Sequence, residues 1–420
     1  MIAGLTVIPE VGFAEVGGGY LFFDDPTRGK FDTGKFGPDT FFADLATWWR
    51  GGTIIRGVSR HEGTHGRAEA GRATMELDNT DRRFDPTNLS GPYVAAGVTQ
   101  VKPEREMRYR AAYGGVTYNL WRGSVDDWQL SYRMPTVGDV AVAGTDGTKI
   151  VANYDQNAGS VVGTGEDTGA RINRVLDNIG WPATDRLIST GKTTVQGTDL
   201  SANAWTEIVL NSDTELGDVY FDGTGKLVFR HRHAPLTDTR SNTPQATFGD
   251  GADELPYVDV IVEHTAQQVR NLIRIARVGG TQQTAQDSVS RTDYRTRTYN
   301  RSDLVMQTDA EAADYAGYAL ALQKNAELRF SQLTIDPLAD PANLFPQVLG
   351  RELGDRIRIL LRPPGGGTAI QRDVFIRGIT HDIGRDTWRT TWALQDADKF
   401  AFLVLDNATL GRLDYNAFAY

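Results

Sequence analysis

A β-like segment that occurs twice constrains this chain more than any other feature. The stretch Tyr118-Asn119-Leu120-Trp121-Arg122-Gly123-Ser124-Val125-Asp126-Asp127-Trp128 returns in pattern as Asp373-Val374-Phe375-Ile376-Arg377-Gly378-Ile379-Thr380-His381-Asp382-Ile383. Setting Arg122-Gly123 on Arg377-Gly378 (377 − 122 = 255) also sets Asp127 on Asp382 and Trp121 on Ile376. Upstream, Met107-Arg108-Tyr109 matches Ile357-Arg358-Ile359 at a smaller offset (357 − 107 = 250), so the second copy carries five extra residues, placed at Pro363-Pro364-Gly365-Gly366-Gly367. Insertions there cost little, because loop-closure entropy rises slowly with length. Trp121, Arg122, Gly123, Asp127, Ile376, Arg377, Gly378 and Asp382 are therefore the candidate structural repeat, and a two-copy β unit points to architecture before chemistry.

The segments around the repeat extend this reading. Short apolar runs such as Gly19-Tyr20-Leu21-Phe22-Phe23 read as strands, with an exposed loop over residues 25–30. Residues 53–58 and 72–78 read as strands, followed by a turn at Asn79-Thr80-Asp81-Arg82-Arg83-Phe84-Asp85-Pro86, where Asn and Asp make local bonds and Pro86 stops pairing. Strands over 105–112, 116–122 and 127–134 complete a first small barrel or sandwich. Ile172, Val175, Leu176 and Ile179 recur at helical spacing after a cap at Asp167 or Thr168, with Gly180 as the stop. Asp222-Gly223-Thr224-Gly225 joins two strands as a hairpin. Strands follow over 257–263 and 271–278, then a polar, loop-rich stretch at 281–298. Thr308 and Glu311 form a capping box that opens a helix to about Asn325. Strands over 329–335, 356–361, 373–379 and 388–394 make a second barrel.

The expected fold is mainly β with some α: two related β-barrel domains flanking a mixed α+β middle region. The domains are 1–148 (first barrel with N-terminal loops), 149–255 (α+β middle), 256–325 (strands, loop and linking helix), 326–405 (second barrel) and 406–420 (C-terminal tail, ending in aromatic residues).

Composition narrows the function. A net charge of −10 argues against nucleic-acid binding as the main task. The absence of cysteine removes disulfide frameworks, thiolate catalysis and cysteine zinc sites. No apolar run reaches the ~20 residues of a membrane span, and the N-terminus lacks the basic start and apolar core of a secretory signal. Synthesis in the cytoplasm is expected, with use there or release by lysis.

Candidate chemistry is sparse. His231 and His233, two apart on an expected strand, would share a face as metal ligands do, but no third ligand lies nearby in sequence and a solvated strand is the better reading. Asp78, Asp81 and Asp85 suit a hard cation yet lack the Gly and terminal Glu of an EF-hand, so turn formation is the default. Asp126-Asp127 and Glu352–Asp355 are acid pairs of the kind glycosidases use, at a frequency that chance supplies in a chain with 54 acidic residues. No nucleophile elbow, zincin helix or Walker loop is present, and the Gly-rich 363–367 segment lacks the Lys and following helix of a phosphate cradle. The eight Trp residues fall mostly in strand or helix patterns, where packing outweighs sugar stacking. Neither catalytic residues nor a cofactor or metal site is expected.

Taken in order, several segments resemble one family. Residues 53–57, Ala70-Gly71-Arg72-Ala73-Thr74-Met75-Glu76-Leu77-Asp78-Asn79, Arg83-Phe84-Asp85-Pro86, and 105–112 leading into Trp121-Arg122-Gly123 resemble the N-terminal barrel of minor tail proteins. These are the baseplate hub, or tail-tip hub, proteins of long-tailed bacteriophages of Gram-positive, especially actinobacterial, hosts. Residues 271–280, the helix from Asp309, Leu353-Gly354-Asp355-Arg356-Ile357-Arg358, Phe375-Ile376-Arg377-Gly378-Ile379 and Trp392-Ala393-Leu394 resemble the C-terminal half of the same hubs.

The resemblance implies a homotrimer, at the virion tail tip, whose three chains with two barrels each mimic sixfold symmetry. It would dock on the tail tube or distal tail protein above and on fibres, a spike or other minor tail proteins below. Tape measure protein and transiting DNA would occupy its lumen without specific binding, and an acidic wall suits that passage. Arg122 and Arg377 would then hold equivalent places on neighbouring barrels. Two alternatives remain: a cell-wall or polysaccharide-degrading enzyme of the particle, and a glycan-binding receptor protein using exposed Trp and Tyr.

Overall fold

A computed structural model of the protein describes residues 4–14, 40–58, 68–133, 136–156, 161–397, 402–403 and 417–418. The strand and loop expected at 19–23 and 25–30, and the expected 406–420 tail apart from Ala417–Phe418, lie outside the described residues.

The chain is mainly β, with helices set between strands. Its dominant element is a 13-stranded sheet. In spatial order the sheet runs Asp259–His264, Leu328–Ile335, Trp388–Asp396, Ile370–Gly384, Trp49–Gly57, Glu69–Asp78, Val137–Thr145, Val116–Arg133, Glu106–Tyr113, Leu5–Ala14 and Thr40–Asp44. Arg356–Leu361 pairs beside Ile370–Gly384, and Thr247–Phe248 pairs beside Arg356–Leu361. Alternation drives these strands: in Glu69–Asp78 the buried positions are Gly71, Ala73, Met75 and Leu77, with exposed or half-buried residues between them.

Two units of identical topology lie within this sheet. The first uses Trp49–Gly57, Glu69–Asp78, Glu106–Tyr113, Val116–Arg133 and Val137–Thr145. The second uses Asp259–His264, Leu328–Ile335, Arg356–Leu361, Ile370–Gly384 and Trp388–Asp396. Numbered along the chain, both have the spatial order 1-2-5-4-3, antiparallel throughout. The expected pair of separate barrels gives way to one open sheet: no barrel closes among the described residues. The physical reason is that the first strand of unit one hydrogen-bonds to unit two instead of curling back on its own unit. One apolar core serves both units, from Val11, Met107 and Trp121 to Ile357, Ile376 and Trp392.

Hydrogen-bond register fixes how the two units correspond, and it differs from the sequence superposition. In each unit the fourth strand bulges once against the fifth, at Asp126 and at Arg377 (377 − 126 = 251). The hairpin before it agrees: Met107 faces Gly123 as Ile357 faces Val374 (374 − 123 = 251). Arg122 therefore corresponds to Asp373, and Glu106 to Arg356. The cross-strand ion pair Arg122–Glu106 is repeated as Asp373–Arg356 with its charges exchanged. Arg122 and Arg377 are not equivalent; the alignment that joined them is four residues out of register (255 − 251 = 4).

The remaining chain is inserted between strands. Helix Thr168–Asn178 is capped by Asp167, whose carboxylate accepts from the N–H of Gly169 and Ala170, and it buries Ile172, Val175 and Leu176. It packs with helix Ala204–Glu215 and the Asp218–Phe221/Leu227–Arg230 hairpin around a separate small core. Between strands one and two of unit two, the chain forms a three-stranded sheet, Gln283–Gln286, Leu272–Arg277 and Thr298–Leu304. That sheet is covered by helix Asp309–Gln323, whose Thr308/Glu311 capping box is present. The stretch expected to be loop-rich, 281–298, instead holds a strand and helix Ser288–Tyr294, because one polar face is solvated and Asp287 caps the helix.

Candidate functional site

Among the described residues the two units meet at a single strand-to-strand junction. Strand Trp49–Gly57 pairs antiparallel with Gly378–Gly384, from Gly57 opposite Gly378 to Gly51 opposite Gly384. The backbones approach so closely that a Cβ on Gly378 would lie 1.8 Å from the Val58 carbonyl oxygen, and one on Gly57 would lie 2.2 Å from that of Arg377. Gly57 also takes φ +77°, open to glycine at no steric cost. Side chains fasten the seam. Thr53 Oγ1 donates to Asp382 Oδ1 at 3.0 Å, and the buried Arg56 donates to Glu352 Oε1 at 2.6 Å. His381, opposite Ile54, is buried with Nδ1 2.9 Å from Thr390 Oγ1. Burial pushes its pKa down to about 3, with nearby Arg56 adding to the effect.

The bulge at Arg377 ties the seam to the inserted middle region. Its guanidinium makes a two-point ion pair with Asp218, Nη1 donating to Oδ2 at 2.6 Å. The turn before strand three locks against the same bulge: Gly354 N–H donates to the Ile376 carbonyl at 2.7 Å, and Ile376 N–H to that of Asp355 at 2.9 Å. Tyr220 Oη then donates to the Leu353 carbonyl at 3.1 Å. A β-bulge here turns one arginine out of the pleat and onto a different layer.

The eight residues of the candidate repeat are thus distributed unequally. Ile376, Arg377, Gly378 and Asp382 lie at the seam. Trp121, Arg122 and Gly123 lie lower on the fourth strand of unit one, in the hairpin register with Tyr109, Arg108 and Met107. Trp121 is buried, Arg122 is half exposed on Glu106, and Asp127 is exposed beside the bulge. A stronger repeat signal was present in the sequence: Asp85-Pro86-Thr87-Asn88-Leu89 against Asp340-Pro341-Ala342-Asn343-Leu344 (340 − 85 = 255). Both begin the connection from strand two to strand three.

The other candidates serve structure. His231 and His233 lie beyond the strand, which ends at Arg230; His233 N–H donates to His231 Nδ1, and their rings meet edge-on rather than sharing a strand face. Asp78 accepts from Thr80 N–H, which with Arg50 holds its pKa near 2. Asp81 is held by Arg83. Asp85 is bound by Thr87, Arg82 and Tyr132, which outweigh its burial and leave its carboxyl far below the usual range. Asp126 binds Lys149 and Thr145, and Asp355 binds Arg240. Trp121, Trp388 and Trp392 are among the largest fully buried side chains. Among the described residues no group of three His, Asp or Glu is placed to hold a metal, and no helix is long and apolar enough to cross a membrane.

Solved structures share this fold. A 43 kDa tail protein of prophage MuSo2 from Shewanella oneidensis superposes with a TM-score of 0.55 at 13% identity, over 94% of this chain and 98% of that one. A tail protein from Neisseria meningitidis MC58 superposes with a TM-score of 0.58 at 12% identity, over 93% and 96%. The chain has the fold of these tail proteins. Because the likeness runs nearly end to end in both partners, it covers both units and the insertions between them. No protein-family model and no curated protein matches the chain. The expected actinobacterial host gains no support from these likenesses.

Proposed function

We propose that this protein is a structural hub of a phage-type tail, located at the tail tip and acting by assembly rather than catalysis. Three copies form a ring in which six similar units face a sixfold tail tube, while the threefold order of the chains suits tip components below. The carrying observation is the pair of 1-2-5-4-3 units fused in one sheet, since three chains can imitate sixfold symmetry only if each supplies two like units. The fold shared with two tail proteins supports the same setting. A distal tail protein or tube would lie above, fibres or a spike below, and tape measure protein and DNA in a lumen whose wall a chain of net charge −10 would keep from binding DNA. The test is the mass of the purified protein in solution together with its place in intact particles. Three copies per ring are expected; a monomer at all concentrations that is absent from purified virions would sink the reading.

A further inference from the structure

The intrachain seam leaves its own counterpart open. It joins strand one of unit one to the upper part of strand four of unit two. The corresponding pieces, strand one of unit two (Asp259–His264) and the upper part of strand four of unit one (residues 127–133), each pair on one side only among the described residues. Unpaired edges of this kind offer a row of N–H and C=O groups to another chain, and proteins ordinarily blunt or cover them. Here they carry apolar side chains: Tyr132 is 49% exposed and Ile261 39%.

We propose that strand Asp259–His264 of one copy pairs antiparallel with residues 128–133 of the next copy of this chain, repeating between molecules the seam that is present within one. This rests on the trimeric hub reading for closure but not for the pairing itself. Transferring the observed seam through the two hydrogen-bond registers fixes the partners. Thr53 faces Asp382. Thr53 corresponds to Ile261, because Thr74 and Gln332 occupy the same place on strand two and the strand registers set Thr53 and Ile261 opposite them. Asp382 corresponds to Ser131 (382 − 251 = 131). Ile261 thus meets Ser131, Val260 meets Tyr132, Val262 meets Leu130, and Asp259 meets Arg133. The chemistry of those pairs is complementary. Two apolar pairs are covered, and a carboxylate meets a guanidinium that is 71% exposed although it also bonds Asp139. Around a ring of three, three seams would be internal and three would be of this second kind.

The natural sequence has no cysteine, so engineered pairs report cleanly. Ile261→Cys/Ser131→Cys and, independently, the exposed pair Asp259→Cys/Arg133→Cys would be oxidised with copper phenanthroline and run without reductant. Single variants and Ile261→Cys/Tyr132→Cys serve as controls, since a one-residue shift turns the second thiol to the other face. Expected are covalent dimers and trimers in both in-register pairs, at least tenfold more abundant than in the controls. Absence of links, or links equal to the controls, in a protein whose mass is trimeric overturns the strand pairing and leaves the hub reading intact. Links that run into open ladders beyond three keep the pairing and overturn closure. A folded monomer without links overturns both.

Discussion

Single residues at the seam set its tolerance. His381 titrates near 6.5 when unfolded and near 3 when folded, so the fold holds it neutral. A depressed folded pKa gives stability that is present above pH 6.5 and is lost as pH falls toward 3. At pH 5 the loss is about 2 kcal/mol. Urea melts at pH 7 and pH 5 should therefore show a steeper acid loss for the natural protein than for His381→Gln; equal slopes would contradict this account. Glycine at the closest approach gives a second test. Gly378→Ala would drive a methyl against the Val58 carbonyl, a backbone atom that cannot swing away, and should cost more than about 3 kcal/mol. Gly365→Ala, with nothing within 4 Å, should stay within about 0.5 kcal/mol in the same melts.

Elements are tied together by paired charges more than by long helices. Arg377 is only 12% exposed and Asp218 25%, so removing one partner leaves a poorly solvated charge. Arg377→Met should destabilise by roughly 2–3 kcal/mol, and Arg377→Met/Asp218→Asn should recover part of it. Strict additivity in that double-mutant cycle would show that the bulge, not the ion pair, matters. The helix Asp309–Gln323 depends on its start. Thr308 Oγ1 accepts from Glu311 N–H while Glu311 also holds Thr194, so Thr308→Ala should cost about 1 kcal/mol by thermal melting. Helices without a readable apolar stripe escaped the sequence. Ala204–Glu215 buries Glu207, Asn211, Ser212, Thr214 and Glu215, and these polar side chains interrupt the period. Pro341–Gly350 carries Pro346 within it and Pro341 at its first turn, where a missing N–H costs nothing.

At the scale of the whole molecule, the open strand at one end of the sheet should govern assembly without governing folding. Ile261→Lys places a charge on that exposed edge, the device by which natural sheets prevent edge-to-edge pairing. The variant should melt within about 0.5 kcal/mol of the natural chain and sediment as a monomer. A stable trimer from the same variant would place the intermolecular contact elsewhere.

The sequence by itself determined what depends on local chemistry: a mainly β chain, the capped helices at 168 and 309, the hairpin through Asp222–Gly225, and the presence of two related halves. Tertiary structure alone decided how those halves correspond and join. Strand alternation has period two, so a superposition wrong by four residues still sets buried Trp121 on buried Ile376 and buried Trp128 on buried Ile383, and looks sound. Only the bulges at Asp126 and Arg377 and the hairpin registers remove that ambiguity. The first strand of the second unit falls in the segment 256–325 and not beside its unit in sequence, because residues 265–327 separate it from the second strand. Its place beside Leu328–Ile335 depends on hydrogen bonds between segments far apart in the chain, which no local pattern encodes. The same holds for the seam of Trp49–Gly57 against Gly378–Gly384, where glycines that read locally as turn formers mark the close approach of two backbones.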